Sequence, residues 1–161
     1  MTSAQKYPHT GQRVPDFALP SSAGQGVATA AYRGRRNLVL TFIGKPAGHN
    51  ARALLAELAA HYSEFAEEEA EVLAVVGGSV AEAGWIKSSD ALPFPVLADE
   101  DGAVHRTFGA LASDGGHVAA IYITDRFGEI FAAYRTGEGH PLPTVEEILD
   151  WLRFIGLQCP E

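Results

Sequence analysis

Arg36–Ile43 (RNLVLTFI) is a short, mostly apolar run of β-forming residues without a breaker, the pattern of a strand buried on both faces. After Gly44, Pro46 and Gly48, Leu54, Leu55, Leu58, Tyr62 and Phe65 recur at helical spacing, which predicts one helix over 50–65 packed on that strand. Glu71–Val76 (EVLAVV) reads as a second buried strand, and Ser79 with Glu82 has the spacing of a capping box that opens another helix. The prolines of Leu92-Pro93-Phe94-Pro95-Val96-Leu97 disfavour helix and remove ladder donors, so this piece is expected to be extended but short or peripheral.

Val118–Thr124 and Glu129–Tyr134, joined by Asp125-Arg126-Phe127-Gly128, predict an antiparallel hairpin. Thr144 and Glu147 then cap a last helix whose Val145, Ile148, Leu149, Leu152 and Ile155 form one apolar face, with Gly156 interrupting it and Leu157 the last residue expected to be anchored. The alternation β-α-β-α followed by a hairpin and a helix implies an α/β fold with a mixed central sheet and helices on both faces. Residues 1–10, polar apart from Tyr7-Pro8, are expected to form a loose tail before one domain over 11–161.

Composition narrows the function. A net charge of −8 disfavours nucleic acid as a partner. The longest apolar stretch, Asn37–Ile43, is far too short to span a bilayer, and residues 1–10 lack the apolar core of a signal peptide. No membrane association and a cytoplasmic location are the resulting expectations. The single cysteine, Cys159, excludes an intrachain disulfide and a cysteine-based metal site. No metal or cofactor is implied. Asp99-Glu100-Asp101-Gly102 lacks the spaced ligands of a calcium loop and reads as a turn.

Gly11–Pro20 (GQRVPDFALP), Tyr32–Leu40 (YRGRRNLVL), Leu92–Gly102 with Phe108-Gly109, and Ile121–Ile130 (IYITDRFGEI) together resemble the alkyl hydroperoxide reductase and thiol-specific antioxidant group, the peroxiredoxin-like redoxins of the thioredoxin superfamily. The resemblance covers nearly the whole chain and implies a thioredoxin-like fold and thiol-dependent reduction of peroxides or disulfides. It also implies a nucleophilic cysteine between the central strand and the next helix, or on that helix's first turn, where the helix field and a nearby cation favour thiolate. Here that segment is Lys45-Pro46-Ala47-Gly48-His49-Asn50-Ala51-Arg52. The two usual cysteine positions fall on Ala47 and Asn50 in one register, or on Gly48 and Ala51 in another. The facing stretch, where the group has an arginine or a cis-proline, is Gly116-His117-Val118-Ala119-Ala120. Neither is present.

Two functions follow as expectations. In the first, the cysteine site is degenerate and the chain binds an unidentified small molecule or protein in the groove between residues 45–51 and His117–Ala119. In the second, it is a thiol oxidoreductase acting through Cys159 and an external thiol. His49 at a helix start suits an anion contact or a general base, against the plainer reading that it or Asn50 merely decorates or caps the helix. Lys45 and Arg52 flank the same loop as surface charges or as the wall of a small anion pocket. His105-Arg106 and His140 show no sign of convergence in the sequence. A second copy of the chain is a further partner to be tested, through Cys159 or otherwise.

Overall fold

A computed structural model of the chain describes residues 7–44, 49–111, 116, 118–136 and 141–158. Its centre is a five-stranded mixed sheet in the order β5-β4-β3-β6-β7, formed by β3 (Asn37–Gly44), β4 (Ala70–Val76), β5 (Val96–Ala98), β6 (Ala120–Thr124) and β7 (Ile130–Arg135). β3 is central, parallel to β4 and antiparallel to β6, and all eight of its residues are buried. That is the environment its unbroken apolar run calls for, since both faces are covered. β5 has three residues and lies at one edge, as the proline-rich stretch requires. β6 and β7 form the expected hairpin.

Alternate residues of β3 serve two cores. Val39 and Ile43 face α1 (His49–Ala60), α2 (Tyr62–Glu67), α3 (Val80–Ser89) and α5 (Val145–Gln158), packing with Leu55, Leu58, Phe65, Ile86, Ile148 and Leu152. Leu38, Leu40 and Phe42 face the other way, onto Phe108, Tyr122 and Val14. This second face is covered by a small hairpin of β1 (Ala18–Pro20) and β2 (Gly26–Ala28), a 3-10 turn at Thr29–Tyr32, and the short α4 (Ala103–Thr107). Both cap motifs form. Ser79 Oγ accepts from the Glu82 N–H at 3.1 Å while Glu82 Oε1 accepts from the Ser79 N–H at 2.8 Å, and Thr144 and Glu147 repeat the exchange at 3.1 and 2.8 Å.

Three expectations are corrected. The single helix over 50–65 is two helices, broken at His61 with φ −110° and ψ 17°. The break redirects the chain so that Phe65 is fully buried and the Tyr62 hydroxyl donates to Glu71 Oε1 at 2.7 Å. Next, part of the tail expected through Thr10 is held in place: Tyr7 is half-buried and Pro8 buried, while His9 and Thr10 are exposed. The Arg135 guanidinium lies 3.6 Å above the Tyr7 ring, and a Cβ on Gly109, where φ is +72°, would come within 2.7 Å of that ring. Last, α5 runs through Gly156 to Gln158, and Leu157 is 84% exposed rather than anchored. Its position falls on the solvent side of the helix, opposite the stripe that ends at Ile155.

Candidate functional site

The parallel strands β3, β4 and β5 end on the same side of the sheet, where antiparallel β6 begins. In open α/β sheets this carboxyl end is where ligands bind. Gly44 closes β3, α1 starts at His49, and Phe42 pairs with Ala120, so Ala51 and Val118–Ala119 are brought to one end of the molecule. His49 and Asn50 are the first residues of α1. Ala51 is half-buried against the core. Val118 donates its N–H to the Ala110 carbonyl at 2.8 Å, and Ala119 donates to Thr136 Oγ1 at 3.2 Å, which fixes the facing segment. Lys45, Pro46, Ala47, Gly48, His117, His140 and Cys159 lie outside the described residues.

Arg52 is turned away from an anion pocket. Its guanidinium donates to both carboxylate oxygens of Asp90, at 2.6 and 3.0 Å, and to Ser89 Oγ at 3.1 Å, and it lies 4.8 Å above the Trp85 ring. A planar fork that meets a carboxylate at two points and an aromatic face has little charge left for a ligand. The pair shifts both partners: the Arg52 hydrogen bond holds the Asp90 carboxyl below the usual carboxylate range.

Beneath the end of β3 lies an arrangement that sequence reasoning passed over. Asp99, 1% exposed, follows β5, and His105, fully buried, sits on α4. Asp99 Oδ2 accepts from His105 Nδ1 at 2.8 Å and from the His105 N–H at 2.7 Å, while Oδ1 accepts from the Val104 N–H at 3.2 Å. The other ring nitrogen, Nε2, accepts from the Gly44 N–H at 3.2 Å. Burial by itself raises the Asp99 carboxyl, but the hydrogen bonds from His105 and Val104 outweigh it and hold the group below its ordinary value. The segment Asp99–Gly102 is the turn expected of it, with the Gly102 N–H donating to the Asp99 carbonyl at 3.1 Å. What sequence could not show is that the turn buries its first carboxylate. The only signal was an acid six residues before a histidine.

Among the described residues, no group of three or more His, Cys, Asp or Glu side chains is placed to hold a metal ion, and no helix is long and apolar enough to cross a membrane.

The AhpC/TSA family model matches residues 10–133. The alkyl hydroperoxide reductase E of Mycobacterium tuberculosis is 29% identical over 126 residues, which is 76% of this chain and 82% of that protein. Among solved structures, a peroxidoxin of Mycobacterium tuberculosis superposes with a TM-score of 0.81 at 19% identity, over 91% of this chain and 97% of that one. The reduced 2-Cys peroxiredoxin of Plasmodium vivax gives 0.80 at 17% identity, over 94% and 98% of the two chains. These likenesses establish the thioredoxin-like fold.

Proposed function

Because the chain belongs to the AhpC/TSA family but has no cysteine other than Cys159, we propose that it is a redoxin homologue with a degenerate cysteine site, serving as a non-catalytic binding module. Its ligand, a small molecule or a protein segment, lies at the carboxyl end of the sheet, between the 45–51 segment and His117–Ala119. The observation that carries this reading is chemical. From the end of β3 through the first turn of α1 the sequence offers no thiol, so the helix start that would activate one has nothing to act on. A cytoplasmic location belongs to the same reading.

Two measurements test it. Peroxide consumption with dithiothreitol or thioredoxin as reductant is expected to match a Cys159→Ser control. Cys159-dependent turnover would instead favour a thiol oxidoreductase that relies on an external thiol to resolve its sulfenic acid. Titration of the labelled chain with sulfate is expected to shift the amides of Ala51, Val118 and Ala119 first. Shifts confined to other parts of the surface would count against the groove.

A further inference from the structure

We propose that the cleft between β7 and α5 is a binding site for a small organic cation of the alkylammonium type. The site shares no residue with the groove at the carboxyl end of the sheet and does not depend on it. Its origin is the spacing on α5. Glu147, Asp150, Trp151 and Phe154 recur at intervals of three and four, so they form one strip along the helix, beside the buried stripe of Val145, Ile148, Leu149, Leu152 and Ile155. With Tyr134 of β7, these four residues line an open cleft of about 380 Å³, a size suited to a small ligand.

The walls are aromatic and the rim is acidic. Trp151 is held by its Nε1–H, which donates to the Tyr134 hydroxyl at 2.8 Å. Its ring meets that of Phe154 at 85° with centroids 6.0 Å apart, and Phe131 backs Phe154 at 6.2 Å and 67°. Rings set at a right angle present π surface from two directions, and Phe154 is 45% exposed, so this surface is open to an occupant. The negative face of an aromatic ring attracts a cation, most strongly at an indole. The carboxylates decide the sign of the ligand. Glu147 and Asp150 are both exposed, and the lining residues include no lysine, arginine or histidine. Glu147 Oε1 accepts from the Thr144 N–H at 2.8 Å, which positions the carboxylate without neutralising it. Asp150 Oδ1 meets Arg153 Nη1 at 3.3 Å, but both side chains are exposed, and such a pair is weak enough to yield to a competing cation. Alkyl groups shed water at little cost, so aromatic walls favour an alkylated ammonium over a strongly hydrated inorganic ion. The net charge of −8 adds attraction at longer range.

The test follows the indole N–H signal of Trp151 in the full chain labelled with 15N, told apart from that of Trp85 by Trp85→Phe. Choline chloride is expected to shift the signal saturably, with a midpoint of about 1–10 mM, the scale of an exposed aromatic site. Sodium chloride at the same ionic strength should leave the signal in place, and neohexanol, the uncharged carbon analogue of choline, should bind about tenfold more weakly or worse. Phe154→Leu keeps apolar bulk and loses the π face, while Glu147→Gln keeps an acceptor for the Thr144 N–H and loses the charge. Each is expected to weaken choline binding about threefold or more. The proposal is overturned if choline gives no saturable shift up to about 50 mM, if neohexanol binds as tightly as choline, or if neither variant weakens binding. A lysine-bearing peptide that moves the signal at concentrations far below those of choline would also overturn it, by showing a docking surface for a basic chain instead. Should a variant not fold, the choline, sodium and neohexanol titrations of the unaltered chain decide.

Discussion

Arg52 Nη2 lies 2.6 Å from Asp90 Oδ1 while Nε of the same guanidinium donates to Oδ2 at 3.0 Å, a two-point contact that ties the start of α1 to the residue capping the end of α3. The contact gives Arg52 a structural role: it braces two helices. It also makes a pH prediction whose sign is fixed. The Arg52 hydrogen bond depresses the Asp90 carboxyl against a smaller opposing effect of burial. A depressed carboxyl stabilises the fold at and above the ordinary carboxylate range, near pH ~4, and the contribution is lost as pH falls through the depressed value. Asp90→Asn is therefore expected to lower the urea midpoint slightly at pH 7, with the gap to wild type closing as pH falls below the ordinary carboxylate range. A gap that stays constant as pH falls would contradict it.

Asp99→Ala should be the most damaging single change at this end of the sheet. It strips the acceptor from the Val104 N–H, the His105 N–H and His105 Nδ1 together, all within a buried site. A loss of roughly 2–4 kcal/mol in unfolding free energy is expected, and Asp99→Asn, which keeps one acceptor oxygen, should lose less. Equal stability of the two variants in urea titrations would mean that the hydrogen bonds are not what Asp99 supplies.

Ala91→Gly is expected to stabilise the protein. α3 ends in a Schellman motif: the Leu92 N–H donates to the Lys87 carbonyl at 3.0 Å and the Ala91 N–H to the Ser88 carbonyl at 3.2 Å, with Leu92 buried behind them. The motif needs a left-handed residue, and alanine occupies it at φ 51°. Relief of that strain, less the extra chain entropy of glycine, leaves a gain of roughly 0.5–1 kcal/mol. A drop in melting temperature on substitution would refute the account.

Cys159 should behave as an ordinary exposed thiol. The residues before it, Leu157 and Gln158, are exposed at the end of α5, and the buried stripe of that helix stops at Ile155. Titration of the native chain with a thiol reagent is expected to give complete labelling at pH 8 and slow labelling at pH 5–6, the behaviour of an unactivated thiol. Air oxidation at high concentration should give a disulfide-linked pair of chains. Rapid labelling at pH 5–6, or protection at pH 8, would show an activated or buried cysteine.

Much of the fold was legible because it rests on patterns that short-range physics makes decisive. An unbroken apolar run such as Leu38–Phe42 is stable only between two covered faces, and the Ser79–Glu82 and Thr144–Glu147 spacings satisfy helix-end donors wherever a helix follows. The helix break at His61 was not legible. The apolar spacing of Leu58, Tyr62 and Phe65 suits one helix or two, and the choice depends on where Glu71 and the sheet lie. Nor was the β1–β2 hairpin, whose three-residue strands are too short to leave a periodic signal.

The sequence by itself determined the family pattern and the absence of a thiol before α1, because both are matters of residue identity in order along the chain. Only the tertiary structure decided which charged and titratable groups meet. Asp99 and His105 are ordinary polar residues until β5 and α4 bury them together under Gly44, and Arg52 is a loose surface charge until α3 brings Asp90 to it. Hydrogen bonds between segments depend on distance and burial, and neither is written in the local pattern of a sequence.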